Sequence, residues 1–170
     1  MVLVALVAGC GGSDSSSSDT TATAEWADGF CSALTTWTTS LKTAAESLKS
    51  DPSKEGLQSA TDDVKGATDT FVSDVKGLGK PDTESGQQAK ESLDTLAGQL
   101  QADVSQIEDA VGNASGVSGV IGAASTVTTT LQSMGTQFQT TLSELEQLDA
   151  KGELQDALEQ ADSCKSLTSS

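Results

Sequence analysis

The chain contains no arginine, no histidine and no tyrosine among its 170 residues. Arginine is the usual bidentate phosphate ligand, and histidine is the usual general base and metal ligand, so the common routes to phosphate binding, proton transfer and metal binding are missing. The 9 lysines face 25 Asp plus Glu residues, which gives a formal net charge of −16. Such a field repels nucleic acid, and we therefore expect no nucleic-acid partner.

Aromatic residues and long apolar runs are also scarce. The aromatic side chains are Trp26, Phe30, Trp37, Phe71 and Phe138, so the core must be largely aliphatic and rich in alanine. No stretch approaches the roughly 18–20 apolar residues that are needed to span a bilayer. A serine nucleophile would have only lysine as its base, and no lysine lies in an apolar run that would depress its pKa. We therefore expect no enzyme and no cofactor.

Acidic residues recur in three short clusters, which raises the question of a cation site. The clusters are Asp62–Asp63, Glu144–Asp149 and Glu153–Glu159. A calcium loop places oxygen ligands at alternating positions over 12 residues, and no such loop is present. Acidic residues spaced by three and four are typical of a solvated helix face, so we expect no metal site.

The first eight residues, "MVLVALVA", are continuously apolar, and a Gly/Ser/Asp-rich string, "GGSDSSSSDT", follows Cys10. An apolar core of seven to fifteen residues that ends in small residues is typical of a secretory signal peptide. The string after it has the composition of a flexible linker. The alternative is a buried N-terminal segment with a free cysteine.

The four residues at this junction, "VAGC", resemble the lipobox of bacterial lipoproteins. Val7, Ala8 and Gly9 match the residues that the family uses for recognition, and Cys10 matches the lipidated cysteine. The resemblance implies cleavage between Gly9 and Cys10, and it implies attachment of lipid (diacylglycerol and further acyl chains such as palmitate) to Cys10. The chain would then be anchored to the outer face of the bacterial cytoplasmic membrane. No lysine precedes Lys42, so the positive n-region of the family is expected upstream of Met1.

From Ala24 onward the apolar residues recur at helical spacing, and nothing alternates with period two. The spacing predicts helices over 25–49, 52–78, 83–112 and 117–149, with a short last segment from Glu153 to about Ser163. Asp51 and Pro52 are expected to cap and open the second helix. Four long amphipathic segments joined by short turns predict an all-α, up-down-up-down four-helix bundle. The predicted organisation is a signal peptide remnant (1–9), a lipid-anchored flexible linker (10–23) and a helical domain (24–170).

Cysteine pairing supports this topology. Lipidation of Cys10 leaves Cys31 and Cys164, an even pair in an oxidising, exported setting. In an up-down-up-down bundle the first helix starts at the end where the fourth helix finishes, and the two cysteines lie near those two points. We therefore predict a Cys31–Cys164 disulfide, the alternative being two unpaired buried thiols.

The two tryptophans, Trp26 and Trp37, lie 11 residues apart and share one helix face. They either stack a sugar or an apolar ligand, or they pack in the core. Counting residues from the predicted helix ends places Trp37, Leu96 and Phe138 in one layer of the core, and it places Phe30 and Phe71 at a level near the disulfide.

Two functions remain open for such a chain. The first is a membrane-anchored lipoprotein with a non-enzymatic helical domain that acts as an interaction module or a spacer. The second is a carrier that holds a small apolar ligand between its helices. A carrier needs an apolar cavity of some hundreds of Å³, whereas a spacer should be packed solid.

Overall fold

The computed structural model describes residues 20–149 and 151–168. Over this part of the chain the elements are β1 (Thr20–Thr21), α1 (Thr23–Ser50), α2 (Lys54–Leu78), β2 (Lys80–Pro81), α3 (Gly86–Gly112), α4 (Gly116–Leu148), α5 (Glu153–Gln160) and α6 (Asp162–Thr168). The predicted all-α bundle is confirmed, and the four long helices begin and end within about three residues of their predicted bounds. The predicted signal peptide, the Gly9/Cys10 cleavage site and most of the linker lie outside the described residues.

The cap of α2 differs from the prediction. Ser53 is the N-cap residue, and its hydroxyl accepts a hydrogen bond from the Gly56 amide at 3.0 Å. Asp51 instead accepts a bond from the Ser53 amide through its carboxylate, at 3.3 Å. A serine at the N-cap satisfies one of the unpaired amides of the first turn, so the helix begins two residues later than Pro52 suggested. At its other end α2 stops at Gly79, whose φ of 68° lies in the left-handed region that favours glycine.

Serine and threonine are abundant inside these helices, although both are weak helix formers. Their hydroxyls donate to the carbonyl four residues earlier at many positions, including Thr35 to Cys31, Thr61 to Leu57 and Thr128 to Ala124. The side chain therefore finds its partner within its own helix and needs no other. Because such bonds do not themselves favour a helix, most of the stability of these helices comes from packing of their apolar faces.

The four long helices run up and down with unequal packing between neighbours. α1 packs along α2, α2 along α3, and α3 along α4, whereas α1 and α4 touch only sparsely. The start of α1, the end of α2, the start of α3 and the end of α4 meet at one end of the bundle, which we call the proximal end. The Ser85 hydroxyl donates to the Leu148 carbonyl there at 2.6 Å. Thr20 and Thr21 pair in parallel with Lys80 and Pro81 at the same end, so regular structure extends into the segment predicted as linker.

The segment after α4 is two helices, where the sequence predicted one. The backbone of Ala161 is extended (φ −64°, ψ 125°) and separates α5 from α6. The break turns α6 onto the start of α1, where the Ser163 hydroxyl lies 2.6 Å from a carboxylate oxygen of Asp28. In this position Cys164 reaches Cys31, and the predicted disulfide is confirmed, with 5.0 Å between the two Cα atoms.

No helix in the described part of the chain combines the length and the apolar character that crossing a bilayer requires.

Candidate functional site

The five aromatic side chains of the chain form one cluster in the proximal half of the bundle. Phe30 lies at the centre, with ring centroids 5.2 Å from Trp26, 6.5 Å from Phe71 and 6.2 Å from Phe138. Trp37 completes the cluster, with its ring centroid 5.0 Å from that of Phe71 and 6.2 Å from that of Phe138. Offset and tilted aromatic pairs at these distances stabilise a core beyond the area they bury. The predicted neighbours Trp37 and Phe138 are therefore in one layer.

Both tryptophans belong to the core. Trp26 is fully buried and its indole N–H donates to the Gly79 carbonyl at 3.2 Å. Trp37 is 3% exposed and donates to the Thr68 hydroxyl, also at 3.2 Å. A buried indole whose N–H already has a partner offers neither face nor donor to a ligand. Leu96, the third member of the predicted layer, is buried as well.

An apolar pocket opens where α1 and α4 separate, beside the disulfide. α1 and α4 separate there because α5 and α6 pack against α1. The Cys31–Cys164 bond and the Asp28–Ser163 contact hold α6 in this position. α5 and α6 therefore pack on the part of α1 that a fourth bundle helix would otherwise cover. Because α5 is only 8 residues long, it bridges the opening without filling it.

The pocket has a volume of about 640 Å³ and is a partly open groove rather than an enclosed cavity. Its wall is aliphatic and aromatic, with side chains from four helices and both disulfide cysteines. The apolar lining residues are Phe30, Leu34, Phe138, Leu142, Leu145, Leu154 and Leu158. Phe30, Leu34, Phe138, Leu145 and Leu154 are each at most 9% exposed, so the apolar surface open to a ligand comes mainly from the half-buried Leu142, Leu158 and Cys164. The volume and the apolar lining lie in the range of small-molecule sites.

Polar side chains border the opening of this pocket. They include the carboxylates Glu146 and Asp149 at the end of α4, Glu159 on α5 and the ammonium group of Lys165 on α6. The Asp149 carboxylate accepts a hydrogen bond from the Gln155 amide at 2.8 Å, which fixes the turn between α4 and α5. The rim is therefore polar and held in place, while the interior is apolar.

A second, more polar groove of about 500 Å³ lies between α1 and α2. Hydroxyl side chains of α1 and the carboxylates of Asp62, Asp63 and Asp74 line it, and the edges of Trp37 and Phe71 form its floor. Most of the side chains that line this groove carry a hydroxyl or a carboxylate group, so it differs from the first pocket in its polar, acidic lining. Within residues 20–149 and 151–168 no group of three acidic or cysteine side chains is arranged to hold a metal ion.

One carboxylate faces the interface between α3 and α4. Burial raises the pKa of Asp103, and the side-chain amide of Gln137 offsets part of the rise. A carboxylate oxygen of Asp103 and the amide oxygen of Gln137 are both buried without a hydrogen-bond partner. Both atoms are acceptors, so a proton on Asp103 would supply the missing donor.

Sequence spacing alone does not distinguish the pocket-lining leucines from core residues, so the sequence analysis missed the pocket. Leu142 and Leu145 lie on the apolar seam of α4, and Leu154 and Leu158 on that of α5, where core and pocket residues have the same spacing. The signal that could have found the pocket is the predicted disulfide. A short segment that follows α4 and is tied to the start of α1 packs on α1, where α4 would otherwise pack.

No family model, no curated protein and no solved structure matches this chain.

Proposed function

We propose that the chain is a lipid-anchored extracytoplasmic binding protein whose helical domain holds a small apolar ligand in the pocket between α1 and α4. The observation that carries the proposal is the pocket's volume of about 640 Å³ behind an aliphatic and aromatic wall. A spacer domain has no use for such an opening, because loss of packing contacts along a helix interface costs stability.

The place of the pocket supports the lipid anchor as part of the same function. The pocket begins at Phe30, about 10 Å from the start of α1 at roughly 1.5 Å per residue. It therefore lies in the proximal half, toward the end where Thr20 enters the bundle. The ten residue steps from Cys10 to Thr20 reach at most about 35 Å. A lipid on Cys10 would keep the pocket close to the membrane, which is a source of apolar ligands.

The test uses the full, disulfide-bonded chain carrying Cys10→Ser, so that no acyl group of the protein competes for the pocket. Binding is followed with N-phenyl-1-naphthylamine, a neutral apolar probe whose fluorescence rises in an apolar site. We expect saturable binding of one probe per chain and its loss in Leu142→Trp, because the larger side chain fills the pocket from α4.

The matched control is Leu131→Trp. Leu131 is also a partly buried leucine of α4, but it does not line the pocket. It should bind the probe as the parent chain does. Equal binding by both variants, or no saturable binding by the parent, would contradict the carrier function.

The interaction-module function has one observation in its favour. No charged residue occurs between Ala110 and Ser143, in a chain whose net charge is −16. Val117 and Ile121, near the start of α4, are 79% and 65% exposed. Two copies of such an acidic chain repel each other least where their uncharged stretches between Ala110 and Ser143 meet. A second copy of the chain is therefore the partner that suits this part of the surface.

Sedimentation equilibrium tests this second candidate. The apparent mass of the Cys10→Ser chain should rise with concentration, and Ile121→Glu should return it to that of the monomer. Gln58→Glu adds the same charge to an exposed position of α2 and should leave association intact. A monomer at every concentration and salt would eliminate the self-associating interface.

A further inference from the structure

The rim of the apolar pocket carries an unequal balance of charge. Three carboxylates, those of Glu146, Asp149 and Glu159, border the opening, together with one ammonium group, that of Lys165. Lys165 forms an ion pair with Asp162, which is not a lining residue, at 2.8 Å. The one cation of the rim is thereby partly neutralised from outside the pocket.

The three rim carboxylates have no such compensation. The Asp149 carboxylate accepts from the Gln155 backbone amide at 2.8 Å, and Glu159 accepts from the Gln155 side-chain amide at 3.0 Å. Both donors are neutral. Among the ion pairs of the described residues none involves Glu146, Asp149 or Glu159. Negative charge therefore remains at the mouth of an otherwise apolar pocket.

From this arrangement we infer the chemical class of the ligand: an amphiphile whose alkyl chain fills the pocket and whose cationic head lies among the rim carboxylates. The inference rests on the proposed carrier function and adds the head group to it. An alkyl chain in the pocket brings its head to the rim, where the carboxylates attract an ammonium group and repel a carboxylate or phosphate group. The net charge of −16 acts in the same direction.

The experiment compares three ligands with the same ten-carbon chain: decyltrimethylammonium, decanol and decanoate. Each competes with N-phenyl-1-naphthylamine for the full Cys10→Ser chain at pH 7, the two ionic ligands below their micelle concentrations and decanol below its solubility limit. Two exposed carboxylates at about 6 Å contribute about a factor of ten in water. We therefore expect decyltrimethylammonium to bind about tenfold more tightly than decanol at low salt, and decanoate to bind more weakly than decanol. The preference should shrink in 0.5 M salt, because screening is then stronger.

The double variant Glu146→Gln, Glu159→Gln locates the effect. It should reduce the preference for the cation to about two- or threefold and leave decanol binding unchanged. The matched control, Glu144→Gln with Glu153→Gln, removes the same two charges from exposed positions of α4 and α5 that do not line the pocket. It should keep most of the preference.

The outcomes separate this inference from the proposed function. Equal affinity for the three ligands would overturn the head-group inference while leaving the carrier function in place. A cation preference that the rim variant and the control reduce equally would also overturn it, because the charge of the whole molecule would then be the cause. Failure of all three ligands to displace the probe would refute the carrier function itself.

Discussion

Removal of the Cys31–Cys164 disulfide should destabilise the bundle by an amount that its position in the chain sets. The bond joins residues 133 positions apart. In the chain-entropy model, a cross-link that closes a loop of this length stabilises the folded state by about 5 kcal/mol, because it restricts the unfolded chain. Domains of this size have about 5–15 kcal/mol of stability in total. The reduced protein should therefore be marginal at the low end of that range.

Urea denaturation of the Cys10→Ser chain, followed by tryptophan fluorescence, measures this loss. Cys10→Ser prevents exchange with the third cysteine. The oxidised form is compared with the form held in a reducing agent and with Cys31→Ala, Cys164→Ala. Both bond-free forms should unfold at lower urea, by about 3–5 kcal/mol once the residual compactness of the unfolded chain is allowed for. A difference below about 1 kcal/mol would refute the chain-entropy reasoning. Recovery of both thiols free from exported protein would refute the bond and the topology from which it was predicted.

Two further changes test the core and the buried carboxylate. Phe138→Ala removes the ring that contacts both Phe30 and Trp37. It should lower the free energy of unfolding, measured in urea, by about 3–5 kcal/mol and should shift tryptophan emission. Unchanged emission would contradict the packing of Phe138 on Trp37. Burial holds the pKa of Asp103 above its ordinary value of 3.8, so its contribution to stability is lost as pH rises through that raised pKa. Asp103→Asn should therefore be more stable than the parent chain at pH 7, and the difference should vanish near pH 3. The matched variant Asp63→Asn, at an exposed position, should show no such trend. A Tm of Asp103→Asn at pH 7 that is no higher than that of the parent chain would contradict the raised pKa of Asp103.

The helices could be predicted because their signals are local, and the disulfide could be predicted from the topology that those helices imply. Each long helix has an apolar residue every three or four positions, and each ends at glycine, proline or a short polar turn. The pairing of Cys31 with Cys164 followed from the assignment of Cys10 to lipid and from topology, since the start of the first helix and the end of the fourth lie at the same end of an up-down-up-down bundle. The placement of Trp37 and Phe138 in one layer of the core followed from counting residues along each helix at about 1.5 Å per residue.

The cap of α2, the break at Ala161 and the pocket could not be predicted in this way. Asp51 and Ser53 both have capping side chains, and the choice between them depends on which one lies over the first turn. Alanine is a good helix former, so nothing in the local sequence predicts a break at Ala161. The extended backbone of Ala161 lets Ser163 of α6 contact Asp28 of α1, which lies 135 residues earlier in the sequence. The pocket arises from the relative position of whole helices, which spacing within one helix does not encode.

Native mass spectrometry of the protein isolated from its own host shows whether the bundle carries an apolar ligand. We expect an additional mass, beyond the chain and its lipid, that is released on activation. Leu142→Trp should lose this mass and Leu131→Trp should keep it. A bare mass for the parent protein, together with no binding of added N-phenyl-1-naphthylamine, would contradict the carrier function.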